Sequence, residues 1–173
     1  MNEKVLNELI KNKKKLNRKI IFYIDKKILI KQKLDINEIK GHLEKARHNL
    51  YFVVDTSKEK YSDWIVAGCY YAVYHSVLAL ILNKGYTSKN HDASLCVLIK
   101  KYYGNEISKK EIELVNNLFI NYNDLVFYVY AKNKREEATY STKYSFDNGT
   151  IDNLILKSRD FINKIEGILK ENI

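Results

Sequence analysis

The clearest pattern in the chain is the recurrence of apolar residues at helical spacing. In IKGHLEKARHNLYFVV (39–54) they fall at i, i+4, i+7, i+11 and i+14, on Ile39, Leu43, Ala46, Leu50 and Val53. This period indicates a helix with one buried face. Asp35 and Glu38 have the spacing of a capping box, so we expect the helix to open at 35 and to end near 55–58.

Apolar patterning and boundary residues predict four more helices. Segment 61–83 is apolar almost all round, so it is the central helix, and Gly85 ends it in the left-handed conformation. A shorter helix runs from about 90 to Gly104. Ser108 and Glu111 form a second capping box, which opens a long amphipathic helix. A polar loop over 141–149 precedes a last helix over about 150–171.

The first 34 residues are harder to assign. Segment 1–17 has a broadly helical apolar period, whereas IIFYIDKKILIKQ (20–32) is rich in β-branched residues and suits either a helix or a small hairpin; we favour a helix. The chain has no proline and only six glycines, which favours long helices. The sequence therefore predicts an all-α bundle over 35–173 with an N-terminal extension over 1–34.

Composition limits the alternatives. A chain of 173 residues with 46% hydrophobic content is one domain, or one domain with a short extension. Cys69 and Cys96 lie in apolar runs, so we expect two buried thiols in a reducing compartment. The N-terminus lacks the apolar core of a signal peptide, and 62–82 is too polar for a comfortable membrane span. These features predict a cytoplasmic protein without a membrane partner.

The positive charge is concentrated at one end. Residues 1–34 hold eleven Lys or Arg against three acids, a net of +8, whereas the whole chain carries +9. The cations Lys13, Lys14, Lys15 and Arg18 form the densest part of this basic arm. Such an arm suits a nucleic acid or another polyanion, bound without sequence preference and with strong salt dependence. The alternative is a lysine-rich helix that is simply solvated.

The usual catalytic and metal motifs are missing from the sequence. His42 and His48 are six residues apart, and no HExxH or CxxC pattern is present, so we expect neither a metal nor a cofactor. The polar residues of the central helix are more informative. Tyr71 and His75 share a face, and so do Tyr70 and Tyr74. They either make interhelical or dimer contacts, or line a functional cleft.

Several elements together resemble one family. The segments YYAVYHSVLALILNKG and TSKNHDASLCVLIKKYYG resemble the YYA-x-[aromatic]-H, AL-x-x-x-KG and K-x-H pattern of small archaeal and bacterial HEPN-domain proteins. Arg135, Ala138 and Tyr140 resemble the R-x-x-A-[DT]-Y element of that group. The resemblance covers about 37–171. It implies an up-and-down four-helix bundle with a short extra helix, usually as a homodimer, often paired with a minimal nucleotidyltransferase in toxin–antitoxin systems.

Other members of the family are metal-independent ribonucleases with an R-x4–6-H motif at the dimer cleft. Arg135 matches the motif arginine, but no histidine follows it between 136 and 147, and position 140 is tyrosine. A histidine moves protons near neutral pH, whereas a tyrosine with a pKa of about 10 does so poorly. The catalytic candidates are therefore Arg135, Tyr140, His75 and His91, with none assigned.

Three hypotheses follow. The first is a HEPN-type protein, the toxin-like half of a toxin–antitoxin or defence pair, that binds RNA or nucleotide phosphate through Arg135 with Lys134 and Lys132. The second is a catalytically inert module that docks a nucleotidyltransferase, with Tyr140 as a contact or modification site. The third is a metal-independent ribonuclease that combines Arg135 with His75 or His91.

Overall fold

A computed structural model describes residues 1–57, 62–120 and 148–170. Within these ranges the helices are α1 (Glu3–Lys11), α2 (Lys13–Asp25), α3 (Ile36–Thr56), α4 (Ser62–Asn83), α5 (His91–Tyr102), α6 (described over 109–120) and α7 (Asn148–Lys170). Two short strands, β1 (Leu29–Lys31) and β2 (Tyr86–Ser88), pair antiparallel with Ile30 opposite Thr87. The fold is all-α in its architecture, as the sequence predicted, apart from this small ribbon.

The central helix is α4, which packs along α3 and α7 and also contacts α5. Its length and hydropathy would allow it to cross a membrane, but the apolar window is 83% buried inside the bundle. Such burial is typical of the core helix of a bundle. Both Cys69 and Cys96 are buried free thiols, as predicted.

Helices α3 and α4 run antiparallel and approach closely. His42 near the start of α3 meets His75 near the end of α4, while Val53 and Phe52 near the end of α3 lie against Gly68. A Cβ atom at Gly68 would come within 2.4 Å of the Val53 side chain, so the helix pair needs a glycine there. Helix α3 also contacts α7, where Arg47 binds Glu166 through two hydrogen bonds of 2.5 Å.

The predicted caps are present with one difference. The Asp35 side chain accepts hydrogen bonds from the backbone of residues 37 and 38, and Ser108 and Glu111 form a complete capping box. Glu38, however, does not reach back to the backbone of Asp35; it accepts a hydrogen bond from Gln32 Nε2 at 2.9 Å. Gly85 adopts a φ of 75°, as expected for the residue that ends α4.

The N-terminal 34 residues fold onto the bundle. Asn12 separates α1 from α2 because its side chain accepts a hydrogen bond from the Lys15 backbone and so caps the second helix. The expected helix over 20–32 is right only as far as Asp25, since the chain then reverses and forms β1. Helix α2 packs on α5, and its buried residues Leu16 and Ile20 belong to the same hydrophobic core as α4 and α7.

Candidate functional site

The polar residues of α4 lie in an aromatic cluster that also includes residues of α3, α5 and α6. We call it the histidine cluster; its members are His42, Tyr70, Tyr74, His75, His91 and Phe119. Helical spacing explains how α4 contributes, since Tyr70 and Tyr74 are one turn apart and stack at a centroid distance of 5.6 Å. His91 enters from the first turn of α5, which Asn90 caps.

At one end of the cluster two histidines form a pair. The Nδ1 atoms of His42 and His75 lie 2.9 Å apart, and the rings stack at 5.1 Å. One imidazole must therefore donate its N–H to the lone pair of the other, so the accepting ring is neutral and the two rings cannot both be cationic in this arrangement. Burial lowers the pKa of His75 to about 4, with further contributions from His42 and Lys45. Burial also lowers the pKa of His42, against an opposing effect of Glu38.

At the other end, His91 is bound to a tyrosine. The Tyr70 hydroxyl and His91 Nε2 lie 2.6 Å apart, and Phe119 of α6 stacks on the imidazole at 4.5 Å. Burial lowers the pKa of His91 more than Asp92 raises it. Burial likewise raises the pKa of Tyr74, whose hydroxyl donates a long hydrogen bond of 3.4 Å to the Ser88 carbonyl.

The structure thus places two of the sequence-predicted site residues in one cluster. His75 and His91 lie on either side of Tyr74, whose ring centroid is 6.0 Å from that of His75 and 5.2 Å from that of His91. Because the pKa values of both histidines are lowered below 6.5, neither is the imidazolium that a general acid requires at pH 7, and a pKa of about 4 makes His75 a weak base. The cluster is better suited to neutral hydrogen bonding than to acid–base catalysis.

The sequence did not identify His42 as part of the site. Within its own helix the nearest histidine is His48, six residues away and off the i, i+4 spacing, whereas its partner His75 is on another helix. A signal was nevertheless present: His42 is one residue from the buried stripe of α3, and a half-buried imidazole needs a hydrogen-bond partner. The antiparallel register of α3 and α4, which supplies that partner, is a tertiary property.

The other predicted site residues divide into two groups. Arg135, Tyr140, Lys134 and Lys132 lie outside the described residues, and their expected roles stay predictions. Of the basic arm, Lys13, Lys14 and Arg18 are exposed on α2, and Lys15 forms an ion pair with Glu8 of α1. These cations therefore belong to a folded helix that packs on α5, so they do not form an independent arm.

The described ranges contain no group of three or more His, Cys, Asp or Glu residues arranged to hold a metal ion. The Nδ1 atoms of His42 and His75 lie close together, but they are hydrogen-bonded to each other. The expectation that the protein binds no metal stays a prediction from the sequence.

Comparison with known proteins identifies the family of this helical bundle. The family model of the HEPN domain matches residues 39–168. The chain is also 27% identical over 133 residues to a protein of Methanocaldococcus jannaschii named "Putative toxin MJ0142", a match that covers 76% of this chain and 82% of that protein. The family match spans α3 to α7 and leaves α1, α2 and β1 outside. The chain therefore belongs to the HEPN domain family.

Proposed function

We propose that the protein is a toxin-like HEPN protein that binds RNA or nucleotide phosphate through Arg135, with Lys134 and Lys132 beside it. The observation that carries the proposal is the ordered HEPN pattern that includes Arg135, within a chain that belongs to the family. A guanidinium binds phosphate oxygens in a planar fork and keeps its charge at any physiological pH. Similarity to a protein named as a toxin supports the toxin-like role.

Binding is proposed in preference to cleavage because of the residues available for proton transfer. The position where a family nuclease would carry its histidine holds Tyr140. Of the histidines that could replace it, His75 is bonded to His42 and His91 to Tyr70, and both pKa values are lowered by burial. Neither provides the proton that a leaving oxygen needs at neutral pH.

The test is the affinity for a fluorescently labelled single-stranded RNA, measured by anisotropy. We expect the wild type to bind and Arg135→Ala to bind at least tenfold more weakly, because a charge-assisted phosphate contact is lost. Lys157→Ala, which removes an exposed cation on α7, serves as the matched control and keeps wild-type affinity. Absence of wild-type binding, or equal affinity of Arg135→Ala, would reject the phosphate site.

A second candidate is the ribonuclease that uses Arg135 with His75 or His91. It is favoured by one observation, that Tyr74 joins both histidines in a single cluster. Under this hypothesis the wild type cleaves RNA without added metal, and His75→Gln or His91→Gln abolishes cleavage while His48→Gln, an exposed histidine of α3, does not. Under our proposal the wild type binds the same RNA and leaves it intact.

The remaining alternative is that the protein docks a nucleotidyltransferase, the partner class that the family resemblance implies, and does not bind RNA. A homodimer would then present Tyr140 to a minimal nucleotidyltransferase, and the two proteins would co-purify when co-expressed. Tyr140→Phe separates contact from modification, because it keeps the ring and removes only the hydroxyl that could accept a transferred group.

A further inference from the structure

A second surface of the molecule combines exposed apolar side chains with dense positive charge. Eleven large hydrophobic side chains are exposed among the described residues, and five of them lie in one short stretch: Ile21, Phe22, Ile30, Leu34 and Ile36. This stretch overlaps the segment 1–34, whose net charge is +8. The five are neighbours in sequence, and Ile21 and Phe22 are adjacent on the exposed side of one helix. Contiguous exposed apolar groups indicate a binding surface, whereas single ones do not.

Helix α2 contributes the centre of this surface. Its buried side consists of Leu16, Ile20 and Tyr23, which face the core. The opposite side carries Lys14, Arg18, Ile21 and Phe22, with Ile21 56% and Phe22 52% exposed. Asp25, four residues after Ile21 and seven after Arg18, lies on this side too and is exposed. The outer side of α2 therefore combines two apolar side chains with two cations and one carboxylate.

The turn after α2 and the strand β1 extend the surface. Lys27 takes a left-handed conformation with φ of 55°, and the Ile28 N–H donates to the Tyr23 carbonyl at 2.9 Å, so the chain reverses at once. Since Leu29 is buried, the alternation along β1 turns Ile30 outward, and it is 52% exposed. Lys27, Ile30 and Lys89 line one shallow groove.

The chemistry of the surface limits its partner. A second copy of this surface would repel it, because both carry the same strong charge. A nucleic acid would match the cations and could stack on Phe22, but the exposed aliphatic side chains have no π face for its bases. An anionic bilayer matches both features, since cations bind its headgroups while aliphatic and aromatic side chains enter the boundary with the acyl chains.

We propose that the outer face of α2, with the turn at Lys27 and β1, binds the surface of an anionic phospholipid bilayer. Lys14, Arg18 and Lys27 contact the headgroups, and Ile21, Phe22 and Ile30 lie at the acyl boundary. This is a peripheral contact by the folded protein, so it departs from the prediction of no membrane partner, which was based on the lack of a signal peptide and of a comfortable membrane span. It goes beyond the proposed RNA site and uses none of its residues.

The experiment is co-sedimentation of the full chain with lipid vesicles. We expect binding to vesicles of equal parts phosphatidylglycerol and phosphatidylcholine, none to pure phosphatidylcholine, and weaker binding as salt rises. The double variant Ile21→Ser/Phe22→Ser lowers partitioning about tenfold, and Lys14→Glu/Arg18→Glu lowers it at least as much. Matched changes on α7, Leu156→Ser and Lys157→Glu, leave it unchanged, because both positions are exposed on a helix outside the proposed surface.

All the substituted side chains are exposed, so thermal unfolding should confirm that the variants keep the fold. The proposal is overturned if anionic vesicles do not pellet the wild type, or if the α2 and α7 variants bind them equally well. If vesicles do not bind but Lys14→Glu/Arg18→Glu weakens RNA binding, the surface belongs to nucleic acid instead. No RNA is present in the vesicle assay, so its outcome is independent of Arg135.

Discussion

At the scale of single residues, the pairing of His42 with His75 is the most consequential feature of the described site. Two imidazoles that share a hydrogen bond through their Nδ1 atoms cannot both be protonated without breaking it. The sequence indicated that His75, on a mostly buried helix, would need a partner. It did not indicate that the partner is His42, because His42 lies 33 residues earlier in the chain and on another helix.

The pair predicts a specific loss of stability in acid. The folded-state pKa values of both histidines lie below the ordinary value of 6.5, so folding favours the neutral rings. Their contribution to stability is complete above pH 6.5 and falls as the pH drops towards 4, where His75 protonates. For a half-buried group, solvent screening reduces the effect of His75 to about 1–2 kcal/mol. Urea unfolding at pH 7.5 and 5.0 measures it.

His75→Gln should lose less unfolding free energy than the wild type between those two pH values. His48→Gln is the control, since this exposed histidine lies on α3 with His42 but outside the pair, and the variant should retain the wild-type pH dependence. An equal pH dependence in wild type and His75→Gln would show that the pair does not titrate as described.

At the scale of elements, the helices were predictable because each carries its own signal. The apolar period identified α3 and α7, continuous apolarity identified α4, and its start and stop residues identified α5. The side chains of Asp35 and Ser108 marked two starts correctly. The β ribbon was not predictable, since three-residue strands that pair across 57 residues leave no usable period. The break at Asn12 was also missed, because a polar residue in a lysine-rich stretch does not stand out as a cap.

The contact between α3 and α4 gives a second prediction. Gly68→Ala places a methyl group 2.4 Å from Val53 Cγ2, so the helices must shift, and the free energy of unfolding should fall by about 1–3 kcal/mol. Gly167→Ala in α7 is the matched control, because nothing lies within 4 Å of the added Cβ. That change should raise stability by about 0.5–1 kcal/mol. Chemical denaturation measures both; a neutral Gly68→Ala would contradict the close approach.

At the scale of the whole molecule, two regions of different sequence character share one core. The sequence divided the chain at residue 34, and the HEPN match begins at 39. Yet Leu6, Leu16 and Leu29 are buried in the same cluster as Val73 of α4 and Phe161 of α7. The charge asymmetry of the sequence therefore describes the surface, whereas the apolar residues join the two regions.

This shared core predicts cooperative unfolding. Leu16→Ala removes a side chain that is 4% exposed, which should cost about 2–5 kcal/mol and destabilise the bundle together with α1 and α2. Circular dichroism and the fluorescence of Trp64, the chain's single tryptophan, on α4, should shift to the same lower denaturant midpoint. Leu156→Ala, at an exposed position of α7, should change little. A Trp64 transition unaffected by Leu16→Ala would show an independent N-terminal unit.

The central claim, that Arg135 holds phosphate, is tested most directly by the salt dependence of RNA binding. Each phosphate neutralised by a cation contributes about −0.7 to the slope of log affinity against log salt for a single strand. We predict that Arg135→Ala lowers affinity and makes this slope less steep by about that amount, while Lys157→Ala changes neither. An unchanged slope and affinity in Arg135→Ala, or no RNA binding by the wild type at any salt concentration, would contradict the account.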